Sequence, residues 1–173
     1  RNEIYLEMSN DENVFNEFYS LINQTWKNLH INPPKLDFSS DDPLVSLVVG
    51  ENDFMTELGY VGNGLQMWLQ MMWFVTKSKN QGITTVILDE PDVYMHPDLQ
   101  RKLLKYVRRN FQQVIIATHS IEIISEVDSE NILNVSNKKK NLKYTNELLA
   151  VQKVVDEIGS IQNMSLLRLF TYK

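Results

Sequence analysis

TTVILDEPDVYMHPDLQ, residues 84–100, is the stretch on which the fold turns. A β-branched and apolar run leads straight into two adjacent carboxylates, Asp89 and Glu90, and Pro91 stops it. An uninterrupted apolar run is the mark of a strand covered on both faces, as in a parallel sheet. Charges at the end of such a strand are costly unless something there needs them. The run therefore predicts a strand over 84–89 that delivers a carboxylate pair to a sheet rim, where open α/β sheets bind their ligands.

Downstream, residues 98–110 place Leu99, Leu103, Leu104 and Val107 on one helical face. QVIIAT predicts a second buried strand over 113–118, which carries His119 to the same kind of rim. A helix is expected from about Ile121 and a third strand over 131–135 (NILNV). Strand, helix, strand, helix, strand is a parallel α/β pattern. Hard oxygen donors at a strand end suit Mg²⁺ or a general base working on water. An imidazole there can bond a phosphate oxygen.

Upstream, residues 65–75 are apolar at nearly every position, with Gln66 and Gln70 as the only polar stripe, so this helix is expected to be buried on most sides. LVSLVV (44–49) and FMTELGYV (54–61) predict a hairpin across the turn GEND. Val14, Phe18, Leu21, Ile22, Trp26 and Leu29 predict an amphipathic helix that ends near Pro33 and Pro34. Residues 1–8 alternate loosely and are expected as a strand. NKKKN reads as a solvated turn, and helices are expected over about 146–158 and 163–170, with Gly159 capping the first.

The totals set bounds. At 173 residues, 43% hydrophobic and 23% charged, the chain is an ordinary globular one. A net charge of −5 argues against a surface given over to phosphate backbones. The chain has no cysteine, which excludes disulfides, thiolate zinc sites and cysteine nucleophiles. No apolar run approaches the roughly 18 residues of a membrane span, so no membrane partner and a cytoplasmic setting are expected. Because the chain opens on Arg1, it is expected to be a piece of a longer one.

Taken together, ILDEP, THS and YVGNGLQ resemble the Walker B segment, the switch-histidine loop and the signature motif of ABC-type ATPase heads. They fall in the order signature, Walker B, switch histidine. MHPDLQ after Walker B is closest to the RecF, SMC and OLD branch. The resemblance covers residues 44–135. It implies a P-loop NTPase-like parallel sheet with flanking helices and a signature-helix subdomain. It also implies ATP and Mg²⁺ as cofactors and a second head as partner. Asp89 would hold Mg²⁺, Glu90 would polarise the attacking water, and His119 would sense the γ-phosphate. Gly62, Asn63, Gly64 and Gln66 would face a nucleotide held by the second head. His96 and Asp98, with Met95 and Pro97, would occupy the loop that crosses the dimer interface.

Two departures qualify the resemblance. No G-x-x-x-x-G-K-[ST] occurs anywhere in the chain. The P-loop strand is therefore expected in an N-terminal half of the same protein, with this chain the C-terminal half and an apolar sheet edge that pairs with another chain or is covered by the chain's own N-terminal segment. Gly62 also stands where the signature usually has Ser. On these grounds the chain is divided into 1–43 (N-terminal helical segment), 44–80 (hairpin and signature helix), 81–136 (Walker B and switch-histidine core) and 137–173 (C-terminal helices).

Simpler readings stand beside these. Asp89-Glu90-Pro91 can merely end a strand and cap a helix, and His96 can simply pack in its loop. Arg101, Lys105, Arg108 and Arg109 share a helix face, which fits a solvated surface or a DNA contact. For the whole, ATP hydrolysis in DNA repair or phage defence competes with a non-hydrolysing, nucleotide-gated dimerisation module and with a nucleotide-independent α/β interaction domain. A Toprim domain following in the parent protein is a further expectation.

Overall fold

The computed structural model describes residues 2–38, 44–52 and 54–135. The chain divides into two compact units, Arg1–Thr118 and His119–Lys173. The expected helices at 146–158 and 163–170, and Gly159, lie outside the described residues.

The first unit opens with α1 (Asn2–Asn10) and α2 (Glu12–Thr25). The strand expected over 1–8 is a helix. Ile4, Leu6 and Met8 alternate, but Ile4 and Met8 also stand one helical turn apart. Ile4 is buried and Met8 packs on the core, while Leu6 is 61% exposed. Glu3 and Glu7 share a second stripe, and both reach Lys77, at 2.7 and 2.8 Å. The Asp11 carboxylate accepts from the Asn13 amide and starts α2. That helix stops at Thr25, earlier than its apolar spacing predicts, and Leu29 belongs to a strand. The reversal falls at Asn28, whose φ of 62° is a left-handed conformation that Asn tolerates.

Short strands follow: β1 (Leu29–Ile31), β2 (Lys35–Asp37), β3 (Leu44–Ser46), β4 (Val48–Glu51) and β5 (Phe54–Glu57). The expected hairpin is β4–β5, antiparallel, with Glu51 opposite Phe54. The run 44–49 is not one strand, however. It breaks at Leu47, which is fully buried, so that β3 pairs with β2 while β4 pairs with β1 and β5. Residues 58–60 of the expected return strand form a 3-10 turn.

α3 (Asn63–Asn80) is the centre of the unit. Trp68, Met72 and Val75 are wholly buried, and Trp73 meets Phe18 of α2 edge-on at 5.4 Å. Phe74 on the remaining face is 46% exposed, so the helix is covered on most sides but not all.

Beyond it, β6 (Thr85–Asp89), α4 (Pro97–Asn110) and β7 (Gln113–Ala117) form the expected strand–helix–strand unit. The strands pair in parallel from Thr85 opposite Gln113 to Asp89 opposite Ala117. One face of this pair carries Val86 and Leu88 into the core. The other carries Ile87 (67% exposed) and Ile115 (47% exposed) outward. The N-terminal segment adds no strand to this sheet: β1 pairs with β4 instead.

In the second unit the described residues give α5 (Ile121–Ser125), a 3-10 turn over Ser129–Asn131, and a small apolar cluster of Ile124, Val127 and Ile132. The strand expected over 131–135 does not form. Only Leu133 makes an isolated bridge, and Asn131 and Asn134 are poor strand residues.

One ion pair ties α2 to α3. Burial alone would raise the Glu17 carboxyl, but its hydrogen bonds to Lys79 and Asn80 outweigh that and hold its pKa below 4.5. The bond to Glu17 raises Lys79 above 10.5. A depressed carboxyl stabilises fully above its unfolded pKa and loses that contribution as the pH falls through the folded value. A raised ammonium stabilises fully below its unfolded pKa and loses its share as the pH climbs through the folded value. Glu17→Gln should therefore be less stable than the native chain at pH 7, and the two should converge as the pH falls through the lowered folded-state value of Glu17. Chemical denaturation across pH checks this, and an equal gap at both ends would refute it.

Candidate functional site

At the end of β6 the chain turns sharply. Asp89 closes the strand with an exposed side chain, and Glu90 follows half-buried. Glu90 has φ 45°, in the left-handed region that non-glycine residues occupy at a cost of about 1–2 kcal/mol. Its amide still donates to the Ala117 carbonyl at 2.8 Å, so the parallel ladder runs one residue past the strand. Backbone strain of this sort persists only where the surroundings over-determine it.

The turn after Glu90 is tightly tied. The Val93 amide donates to the Glu90 carbonyl and the Met95 amide to the Asp92 carbonyl. The Thr118 hydroxyl donates to the Asp92 carboxylate. The buried Gln100 side chain donates to the Met95 carbonyl at 2.9 Å. Tyr94 is left-handed too (φ 62°), and its carbonyl lies against Gly64, where an added Cβ would come within 2.8 Å of it. Gly64 thus sits where the turn after β6 and the start of α3 touch.

The N-terminus of α3 is bare. Gly62 is its N-cap with no side-chain hydrogen bond. The amides of Leu65 and Gln66 are used by the Gly62 carbonyl, which leaves the first two helical amides, at Asn63 and Gly64, outside the intrahelical pattern. Such amides and the helix dipole favour an anion. The Gln66 side chain turns back to the Val61 carbonyl at 2.8 Å rather than outward. A cleft of about 440 Å³ opens beside this end, lined by Trp26, Phe54, Tyr60, Gly62, Gly64 and Leu65. Neither Asp89 nor Glu90 lines it.

His96 is the N-cap of α4: its Nδ1 accepts from the Asp98 amide at 3.3 Å. The Asp98 carboxylate bonds Arg101 at 2.7 Å, which holds it below the usual aspartate value. Both side chains are largely exposed. His119 is exposed and begins the second unit, two residues along the chain from Ala117. Ser120 after it caps α5, accepting from the Ile123 amide.

The structure therefore joins Asp89 and Glu90 at one strand end, and Gly62, Asn63 and Gly64 at one helix end. Sequence reasoning missed Asp92, Thr118 and Tyr94. Asp92 carried a faint signal, a turn-favouring residue just after Pro91. Nothing local marks Thr118 as its partner.

The chain resembles proteins of known kind. It is 33% identical over 61 residues to the probable ATPase of retron Ec83 from Escherichia coli, covering 34% of this chain and 11% of that protein. It is 28% identical over 120 residues to the Old nuclease of Escherichia phage P2, covering 62% of this chain and 20% of that one. The chain thus spans about a tenth and a fifth of these relatives. In fold it matches a solved chain from work on ATP-driven dimerization and DNA-stimulated activation of SMC ATPases. The TM-score is 0.70 at 12% identity, over 90% of this chain and 96% of that one. The expected α/β architecture, a parallel sheet with flanking helices as in P-loop NTPase heads, is the one the chain has. Residues 2–124 match the AAA ATPase domain family, and with that share of its length the chain belongs to that family.

Proposed function

We propose that the chain is the C-terminal half of an ATPase head, which hydrolyses ATP together with an N-terminal half that bears the P-loop and with a second, identical head. The observation that carries this reading is the end of β6, where an exposed Asp89 is followed by a Glu90 held in a strained, hydrogen-bonded turn. The four divisions set out from the sequence are kept in this proposal.

The donor set fits the cofactors in part. Among the described residues no three histidine, aspartate or glutamate side chains converge to hold a metal. Mg²⁺ commonly takes one or two carboxylates and completes its shell with phosphate oxygens and water, so Asp89 alone is an adequate protein ligand here. When bound, the ion would neutralise charge on the phosphates. The triphosphate's own cradle is not in this chain, which has no P-loop. Glu90 would accept a proton from the attacking water, and His119 would bond the γ-phosphate. Gly62, Asn63 and Gly64 would offer backbone amides to the nucleotide of the second head, with Gln66 bracing that turn. His96 and Asp98, at the start of α4, would lie along the dimer interface.

The bare Ile87–Ile115 face supports the missing half as partner. A parallel pair normally has both faces covered, and apolar area of this kind is worth about 25 cal/mol per Å² when buried. No helix among the described residues is long and apolar enough to cross a membrane. DNA repair or phage defence is kept as the setting on the resemblance to the RecF, SMC and OLD branch, with DNA as a further proposed partner. A Toprim domain beyond the head is kept on the likeness to the Old nuclease.

A second reading, nucleotide-gated dimerisation without turnover, is favoured by Gly62 in place of the usual signature Ser. Phosphate release and ATP-dependent sizing of the full-length protein separate the two. Turnover with dimerisation supports the first, and dimerisation with no phosphate release supports the second. The 173-residue chain alone should bind ATP more weakly than about 1 mM, which corresponds to about −4 kcal/mol. Tight ATP binding by the isolated monomer would overturn the half-site proposal.

A further inference from the structure

We propose that Asp92 is a positioning residue: through Thr118, it holds the Glu90 backbone in the left-handed conformation from which the carboxylate acts. The proposal rests on the hydrolytic reading of Glu90 given above. Asp92 itself contacts neither the phosphates nor the water.

Among the described residues, at least three ties fasten the turn. Its start is held to β7 by the Glu90 amide on the Ala117 carbonyl, 2.8 Å. Its far end is held to α4 by Gln100 on the Met95 carbonyl, 2.9 Å. Its middle is held by the Asp92 carboxylate, which accepts the Thr118 hydroxyl from the residue next after β7. The first and third ties run to adjacent residues, Ala117 and Thr118, so they clamp the segment from Glu90 to Asp92 against the end of β7.

The clamp is needed because φ 45° is not where a glutamate rests. Such a residue returns to the extended or helical region once its surroundings let go. A backbone bond at the end of a ladder opens more readily than one inside it. A hydrogen bond to a half-buried carboxylate is among the stronger ties available. Asp92 is thus placed to keep the bond at Ala117 closed, and with it the turn that aims Glu90. The same tie fixes Thr118, the residue to which His119 is joined.

The test uses the full-length protein and four single variants. Asp92→Ala and Thr118→Val each break the bond, whereas Asp92→Asn and Thr118→Ser each keep an acceptor or a donor. Without nucleotide, hydrogen exchange at the Glu90 amide should rise about tenfold or more in the first two, matching the loss of one bond to a charged group. It should stay near the native rate in the second two. The double variant Asp92→Ala/Thr118→Val should exchange no faster than either single, because both act through one bond. With ATP, kcat should fall at least about tenfold in the bond-breaking pair while KM stays within about twofold, the pattern of lost positioning rather than lost binding.

Native exchange at Glu90 in Thr118→Val, or additive effects in the double variant, would overturn the proposal. A native protein that releases no phosphate would instead refute the hydrolytic reading of Glu90. The exchange arm would still decide whether Asp92 holds the turn.

Discussion

Glu90→Gln in the full-length protein should lower kcat for ATP by about 10²–10⁴-fold, the range a positioned general base contributes, and leave KM nearly unchanged. Gln has the volume of Glu and a similar backbone preference, so the turn at φ 45° and the bond to Ala117 should survive. What disappears is the carboxylate that accepts a proton. A variant that still binds ATP but cannot complete the reaction should also prolong the ATP-bound dimer, which sizing would show as a stable larger species. Unchanged phosphate release would remove Glu90 from its proposed role. Loss of ATP-dependent dimerisation together with turnover would point to a binding role instead.

Gly64→Ala should destabilise the chain by about 1–3 kcal/mol, the usual cost of forcing atoms into a filled site. Helix propensity alone gives the opposite sign, since Ala is favoured over Gly by about 1 kcal/mol within a helix. The contact decides the outcome. An added Cβ would lie 2.8 Å from the Tyr94 carbonyl, a backbone atom that moves only if its turn moves. Gly62 is the internal control, because a Cβ there meets nothing within 4 Å. Gly62→Ala should cost only the difference between Gly and Ala as N-cap, about 1 kcal/mol or less. The larger effect at Gly64 should be accompanied by faster hydrogen exchange at Val93 and Met95, whose bonds shape that turn. Equal denaturation midpoints for the two variants would show that Gly64 is not required by the Tyr94 contact.

The parts of the fold legible in the sequence are those where one period dominates. α3 is apolar on nearly every side, and β6 and β7 are built on short β-branched and apolar runs, so each could be read with little context. α1 was open to two readings, because Ile4 and Met8 satisfy alternation as well as a helical turn. The packing of Ile4 and Met8 with Leu6 left outside, and the Glu3 and Glu7 contacts with Lys77, some seventy residues away, resolve it. Leu47 ends β3 because two different sheets claim the residues on either side, a tertiary choice that no local pattern encodes. The site divides in the same way. Asp89, Glu90 and Gly64 announce themselves by type and position. The left-handed turn at Glu90, the Asp92–Thr118 bond and the Tyr94–Gly64 contact arise only when β7 and α3 are brought alongside.

The outward isoleucines of the β6–β7 pair bear on how a cell would handle an orphan copy. A surface of this kind is what chaperones hold and proteases degrade. A copy lacking the proposed covering half, cut or truncated, would thus be cleared instead of accumulating. In the proposed arrangement, the oily face that a missing half would cover would also mark an incomplete protein for removal.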